Sequence, residues 1–458
     1  MTKTIDIGSL LDAGHWSGYQ KLLVGGTALT IVVDGFDNQL LAIALLPLMS
    51  EWGVPRAAFA PILASGMIGM MLGGAIGGYL GDRVGRRVAL LASVASFGVL
   101  TALVSVVDNV FALGVLRFLT GIGLGGAMPN SAALASEYVP RRQRPFAVTL
   151  TIMCIPLGGT FAGLVGAQIL PHFGWRALFF VGGGVALGLA AALWMVMPES
   201  PRYLARHPAR WPELATLLRR LGHDVPSDAA FVDATEKTVA HASPRELLRP
   251  GFRRDTLALS ASFFFCLLAA YVGVNWVPAM LAGAGFEVGV AGNGLAAFNL
   301  GGVVGALLGA LVMPRAGSKP TMLWMAAGAV AGAAAMAVIP MATQSPFVVL
   351  AMLAWTGGLI NAVQITMYAL AAHVYPTGIR ATGVGTAVAV GRMGGVVSTY
   401  AGSWALESGG ASRFFVLLAA TMTIVFMALA SVRRHIGRSS PSRSARPAAV
   451  ASSRFTST

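Results

Sequence analysis

Two carboxylates, Asp34 and Asp37, stand three residues apart in Asp34-Gly35-Phe36-Asp37, in the middle of an apolar run from about Leu22 to Pro47. At about 1.5 Å per residue, a helix of ~20 residues crosses a bilayer, so this run is long enough to span one. A charge near the centre of such a helix costs about 2.5–3.5 kcal/mol on insertion scales. Residues three apart share one helical face, and two carboxylates turned toward lipid would be untenable. They are therefore expected to look into a protein cavity or at a polar partner. A carboxylate held there can take up and release a proton, which is the chemistry that proton-coupled transport needs. The competing reading is a buried pair that only orients its neighbouring helices.

Few other ionisable residues lie inside apolar runs: Arg117, Arg392, and Glu137 at the inner edge of its run. From the rise per residue, Asp34 and Asp37 sit roughly 20 and 15 Å from the outer end of their helix. Arg117 lies about 10 Å from the outer end of its own helix, and Arg392 about midway along its own.

The composition requires elements that can hold such groups in a membrane. Of 458 residues, 56% are hydrophobic and 11% charged, with a mean hydropathy of +0.72, whereas a soluble domain carries ~25% charged residues. Apolar runs and their polar breaks mark twelve spans, at roughly 22–47, 58–80, 88–107, 110–135, 146–170, 176–197, 256–281, 291–313, 320–342, 346–372, 381–406 and 411–432. The fold class expected is an all-α membrane protein of twelve transmembrane helices. Net charge is +14, but the basic residues gather in particular loops instead of on one amphipathic face, so nucleic acid is not an expected partner. Segments holding Lys3, Lys21, Arg83, Arg86, Arg87, Arg141, Arg142, Arg144, the arginines of 198–254, Arg315, Lys319 and Arg380 alternate with ones holding only Arg56, Arg176 and Arg413. That asymmetry places both termini in the cytoplasm. Cys154 and Cys266 both fall in apolar spans, so free packed thiols are expected, without a disulfide or metal site. The first twenty residues, with Asp6, Asp12, His15 and Gln20, are too polar for a cleavable signal peptide.

The chain divides into a segment at 1–21, six spans over 22–197, a polar loop at 198–254, six spans over 255–434, and a tail at 435–458. A short amphipathic helix is expected around Trp211–Leu221, and the Ser/Pro/Arg-rich tail is expected to be disordered. The halves are related. Ser65, Gly69, Gly73, Gly77 and Gly81 recur every fourth position, as do Ala297, Gly301, Gly305 and Gly309, 232 positions later. Such stripes let membrane helices pack closely. Arg83, Gly85 and Arg87 match Arg315, Gly317 and Lys319, while Asp82 has become Pro314. Pro140, Arg144 and Gly158-Gly159 match Pro376, Arg380 and Gly394-Gly395 at an offset of 236. Two matches in the same order point to duplicated, pseudo-symmetric six-helix bundles, with a midplane site between them.

The loop Gly81-Asp82-Arg83-Val84-Gly85-Arg86-Arg87 resembles the hallmark loop of the major facilitator superfamily. Pro198-Glu199-Ser200-Pro201-Arg202, and Glu137 followed by Arg141–Arg144, look like motifs of its sugar and organic-ion branches. Asp34-Gly35-Phe36-Asp37 with Pro47, preceded by Ile5-Asp6 and Asp12, resembles the aromatic acid:proton symporter family. The resemblance covers about Ile5 to Arg434 and departs at the degraded second copy of the loop motif. It implies a bacterial inner-membrane importer of benzoate, hydroxybenzoates, protocatechuate or related ring acids, driven by the proton gradient, without a cofactor and acting as a monomer.

In the superfamily's fold, helices one and four line the cavity from the same bundle, which makes Arg117 the expected partner of Asp37 and leaves Asp34 as the better proton carrier. The alternative is that Arg117 only braces two helices. Arg392 has no acid at its depth in its own half, and its guanidinium suits a substrate carboxylate. The alternative for it is a backbone carbonyl in the turn Gly391–Gly395. Tyr271, Asn275, Trp276, Asn361, Gln364 and Tyr368 offer stacking and hydrogen bonds to a ring acid, with Asn299 as a weaker candidate. Asp82, Arg83, Arg86, Arg87, Glu137, Arg144, Glu199, Arg202 and Arg380 cluster at cytoplasmic span ends and read as a gate and scaffold. No nucleotide loop, metal constellation or nucleophile–base pattern suggests an enzyme. The rival readings are a proton antiporter exporting drugs, a sugar or organic-ion facilitator, and a transport-dead sensor. Ile155-Pro156-Leu157-Gly158-Gly159 holds only part of the exporter pattern, and the long appended signalling domain of a sensor is not expected.

Overall fold

The computed structural model describes residues 4–13, 16–226, 229–233 and 244–437, so the tail from Arg438 onward lies outside the described residues. The chain runs β1 (Thr4–Asp6), α1 (Ile7–Ala13), α2 (Gly18–Trp52), α3 (Ala60–Val84), α4 (Arg86–Val104), α5 (Val110–Glu137) and α6 (Arg144–Val196). It continues through α7 (Pro201–Ala205), α8 (Trp211–Arg220), β2 (Ala230–Val232), α9 (Arg253–Gly283), α10 (Val288–Ala316), α11 (Ser318–Val338), α12 (Pro346–Val374) and α13 (Thr377–Ser431). Ten helices among the described residues are long and apolar enough to cross a membrane. Two of them are double. Gly174 (φ 75°, ψ 179°) breaks α6, and Gly409-Gly410 (Gly410 φ 58°) breaks α13. Each break falls between two of the expected spans, so the ten helices make twelve crossings.

Local chemistry explains the ends. Ser17 and Gln20 form a reciprocal capping box, with Gln20 N donating to Ser17 Oγ at 3.2 Å and Ser17 N to Gln20 Oε1 at 2.8 Å. The turns that follow α3 and α10 hinge on Gly85 (φ 111°) and Gly317 (φ 88°), a backbone conformation that side chains disfavour. These are matching positions of the repeat.

The duplication is visible in backbone packing. A Cβ added at Gly69 would lie 2.2 Å from the Phe118 carbonyl oxygen, and one at Gly301 would lie 2.0 Å from that of Ala354. Gly73 meets Ile122 O at 2.0 Å and Gly305 meets Gly358 O at 2.5 Å on the same construction. Gly158 meets Val32 O at 2.0 Å and Gly394 meets Phe264 O at 2.1 Å. Every partner here is related to its counterpart by the 232 or 236 offset. Two copies of one six-helix packing scheme therefore stand side by side.

One close contact between the bundles lies toward one end. There a Cβ at Gly163 of α6 would lie 2.5 Å from Gly292 O and 2.6 Å from Ala296 N of α10. Toward the arginine-rich end they part. A cavity of ≈ 610 Å³ opens among Met71, Gly74, Met128, Ala132, Gly385 and Arg392. A second, of ≈ 560 Å³, lies among Arg144, Met153, Ala306, Ala310, Met313 and Ala372.

At that basic end a small polar layer forms from the amino-terminal segment and the central loop. β1 pairs in parallel with β2, Thr4 opposite Ala230 through Asp6 opposite Val232. Ile7, Leu11, Leu204, Leu214, Leu218 and Phe231 are buried together beneath it. The expected amphipathic helix is α8, whereas the docking of residues 4–13 onto the loop is not apparent from the sequence pattern.

Candidate functional site

Gly35 carries the site into the interior. A Cβ there would lie 2.2 Å from Ile155 O, so only glycine lets α2 press against α6. Asp34 and Asp37 on either side of this contact are 4% and 1% exposed. Asp37 accepts a hydrogen bond from Thr101 Oγ1 of α4, and its other oxygen lies 3.7 Å from Arg117 Nη1 of α5. Arg117 is 5% exposed and also donates from Nη2 to Asn38 O at 3.4 Å. Asp37 Oδ2 and Arg117 Nη1 make no hydrogen bond among the described residues, so charge holds them. A buried pair of this kind contributes little net stability but is costly to break, because one charge is then stranded.

Asp34 differs. Its Oδ1 is buried without a hydrogen-bond partner among the described residues, and it lies within electrostatic reach of Asp37 in its own bundle and Arg392 in the other. Arg392 does not pair with a carbonyl of its own Gly391–Gly395 turn. It crosses between the bundles and donates from Nη1 to Met70 O of α3 at 3.3 Å. It passes close to Gly74, whose added Cβ would lie 3.0 Å from that nitrogen.

Beside this cluster is a small cavity of ≈ 50 Å³ between the bundles, lined by Asn38, Gln39, Asn299, Asn361, Gln364, Tyr271 and Tyr368 together with the apolar Ile152, Ile155, Pro156, Ala270, Val274 and Ile365. Its polar lining is all neutral. Tyr368 is fixed edge-on against Phe263, with ring centroids 5.3 Å apart. Two expected pocket residues do not line it. Trp276 is fully buried and packs its indole over Gly402 of α13, where a Cβ would lie 2.2 Å from the ring. Asn275 is likewise buried in α9, away from the lining. Alternation around the helix explains both: Tyr271 and Val274 face the cavity, and the next residues turn away from it. Asn38 and Gln39 were missed. Their signal was their place directly after Asp37, with Gln39 exactly one repeat offset from Tyr271.

The comparisons with known proteins decide the family. The sequence profile described as Major Facilitator Superfamily matches residues 27–399. The chain is 32% identical to a gallate transporter of Pseudomonas putida over 416 residues, covering 90% of this chain and 92% of that one. It is 31% identical to the 4-hydroxybenzoate transporter PcaK of the same species over 411 residues, or 89% and 91% of the two chains. The chain belongs to the major facilitator superfamily, in its family of aromatic-acid transporters. It is a transporter and not an enzyme. The fold agrees with a solved structure of the xylose transporter XylE from E. coli in a partially occluded inward-open conformation, at a TM-score of 0.69 and 18% identity over 90% of this chain and 97% of that one. A bacterial homologue of the lysosomal transporter Spinster, inward-facing and occupied, matches at 0.65 with 15% identity over 91% and 96%.

The superfamily's hallmark loop meets the Pro198–Arg202 motif at the basic end. Glu199 Oε1 accepts from the backbone N of Arg87 and of Ser200, both at 2.9 Å, where the positive end of α4 favours a carboxylate. Gly85 is needed for this approach, since its Cβ would lie 2.3 Å from Glu199 Oε2. Asp82 pairs with Arg86, Glu137 accepts from Ser200 Oγ, and Arg144 meets Asp12 at 2.6 Å. Arg202 lies 3.8 Å from Asp233. Arg83 and Arg87 stack over Tyr79 and Trp194 at 4.7 and 4.9 Å, and Arg380 donates to Tyr375 O at 3.2 Å. Each of these contacts stays within one half of the molecule or the polar layer attached to it, on the side where the bundles stand apart.

Proposed function

We propose that the protein imports a small aromatic carboxylate together with protons by alternating access, across the bacterial inner membrane, as a monomer with both termini in the cytoplasm. Benzoate, 4-hydroxybenzoate, protocatechuate and close relatives are the expected substrates, and the proton gradient is the only energy source required. The observation that carries this reading is the placement of Asp34. It is a buried carboxylate with no hydrogen bond at Oδ1 among the described residues, within electrostatic reach of Asp37 in its own bundle and of Arg392 in the other, near a cavity of amides and phenols.

In this mechanism Asp37 stays charged against Arg117, and Asp34 takes the proton. Arg392 exchanges the Met70 carbonyl for the substrate carboxylate, for which its planar fork is better suited. The basic-end pairs around Asp82, Arg83, Arg86, Arg87, Glu137, Arg144, Glu199, Arg202 and Arg380 stiffen the inner ends of the helices and close against the opposite half when the site opens outward. The names of the aromatic-acid relatives favour a ring acid over the xylose of the structural neighbour, because sequence identity is much higher to the former.

Uptake of labelled benzoate, 4-hydroxybenzoate, 3,4-dihydroxybenzoate and xylose into proteoliposomes tests it, with and without an imposed proton gradient. Gradient-dependent accumulation of at least one ring acid is expected, and none of xylose. Accumulation that ignores the gradient, or outward movement of ring acids driven by inward proton flow, would overturn it.

A further inference from the structure

We infer that the Gln39–Asn299 amide pair reads the ring hydroxyls of the substrate, and that a ring must part this pair to be seated. The inference rests on the proposed transport of ring acids and adds to it which side chains tell a hydroxylated ring from a bare one.

Gln39 of α2 and Asn299 of α10 belong to different bundles. They hydrogen-bond reciprocally, Gln39 Nε2 donating to Asn299 Oδ1 at 3.3 Å and Asn299 Nδ2 to Gln39 Oε1 at 2.8 Å. Both are buried, at 2% and 1% exposure, and both line the central cavity. Asn299 is held from behind, donating also to Leu295 O at 2.9 Å. Gln39 lies across Gly159, where a Cβ would come within 2.1 Å of its amide nitrogen. The pair is one turn along α10 from Ala296, which forms the close contact with Gly163 at the shut end. It is thus a polar fastener at the edge of the closed half, facing the space a substrate would enter.

That space is ≈ 50 Å³, enough for a few waters and far below the ~300 Å³ at the small end of ligand pockets. A ring cannot be seated without moving its walls. The wider cavities of ≈ 610 and ≈ 560 Å³ share Ile152 with it and lead to it from the basic end. Parting the amides exposes one donor and one acceptor on each. A phenolic hydroxyl is itself a donor and an acceptor, so it can replace the lost partner. An unsubstituted ring cannot, and leaves buried amides unpaired. Sites of this type reject analogues lacking the polar group far more strongly than apolar pockets sort by size.

The repeat supplies an orientation. One offset from Gln39 is Tyr271, and one offset from Asn299 is Met67. These two also lie together, over Gly395, whose Cβ would be 3.1 Å from the Tyr271 ring and 2.5 Å from Met67 Cε. Equivalent corners of the molecule thus hold a pair of amides on one side and an aromatic ring with a thioether on the other. The apolar corner suits the ring face, and the amide corner suits its hydroxylated edge.

The test is equilibrium binding of benzoate, 4-hydroxybenzoate and 3,4-dihydroxybenzoate to the purified full-length protein. Wild type is expected to favour the hydroxylated acids over benzoate by about tenfold or more. Gln39→Met and Asn299→Leu, which keep shape and remove the polar atoms, are expected to bring that ratio to about one while benzoate still binds. The swap of Gln39→Asn with Asn299→Gln is expected to restore it. Asn299→Ser, too short to meet Gln39, serves with the same outcomes if an apolar variant does not fold. A ratio unchanged in the variants, or equal weakening of all three acids, would overturn the inference and leave the transport reading standing. Failure of every ring acid to bind wild type would overturn both.

Discussion

The two halves share a skeleton and differ in charge. Backbone contacts at Gly69, Gly73 and Gly158 recur at Gly301, Gly305 and Gly394 with corresponding partners. At the positions matching Asp37, Thr101 and Arg117, however, the second half carries Ala269, Ala333 and Leu353, all fully buried. Asp34 is matched by Cys266, and Arg392 by Pro156. Packing was kept in both copies because close helix approach tolerates nothing larger than glycine. At these midplane positions the ionisable groups Asp34, Asp37 and Arg117 stand in one copy, and Arg392 reaches across from the other. An asymmetric charge set lets one half respond to a proton while the other serves as the surface it moves against.

The largest expected effect comes from erasing that difference. Asp37→Ala or Arg117→Ala alone strands a buried charge and is expected to cost about 3–5 kcal/mol of stability, together with all transport. Copying the second half, by Asp37→Ala, Thr101→Ala and Arg117→Leu together, removes both charges and supplies apolar volume. The triple variant is expected to unfold thermally near wild type and still to lack accumulation. If it is as unstable as the single variants, the second half is not an adequate template for the first.

Asp34→Asn should spare the fold and strike function. Asparagine mimics the protonated acid, so substrate exchange is expected to continue while gradient-driven accumulation is lost. The sign in pH follows: exchange by wild type should rise as the medium becomes acidic enough to protonate Asp34, and exchange by the variant should be flat. Counterflow across a pH series measures both, and normal accumulation by Asp34→Asn would remove this residue from the coupling step.

Much of this was legible because membrane helices leave few choices. Rise per residue set Arg117 near the depth of Asp37, and an arginine in an apolar span has few possible partners. The glycine periodicity exposed the repeat. Thr101 was not legible, since a lone threonine in a span ordinarily bonds back to its own helix, as Thr151 does to Ala147 O at 2.9 Å. The pairing of β1 with β2 was hidden for a different reason: three-residue strands more than two hundred positions apart carry no periodic signal. Trp276 was misplaced because an aromatic in a span reads the same whether it faces a cavity or a neighbouring glycine.

A smaller effect is expected at Arg392, the charge of the second half that acts on Asp34. Arg392→Ala should weaken a ring acid by on the order of 2–5 kcal/mol and its neutral amide much less, while Arg392→Lys keeps the charge, loses the fork, and falls between. Binding of each acid and amide to purified protein separates the roles. Equal weakening of both would make Arg392 a brace on Met70, with no carboxylate role.

The smallest effect should come from the hydroxyl at the apolar corner. Tyr271 lines the cavity where its counterpart Gln39 does, but one hydroxyl replaces a whole amide. Tyr271→Phe keeps the ring face and removes one polar atom, so the expected loss is that of a single net hydrogen bond, about 0.5–1.5 kcal/mol in binding. It should fall on hydroxylated acids and benzoate alike, because the amide corner that reads the ring hydroxyls is left unchanged. Trp276→Phe is the control from the same helix. Its indole is buried against Gly402, so thinning it is expected to lower the unfolding temperature and leave the order of substrate preference unchanged. If Trp276→Phe reorders the acids and Tyr271→Phe does not, α9 presents its other face to the substrate, and the two corners of the cavity are not equivalent.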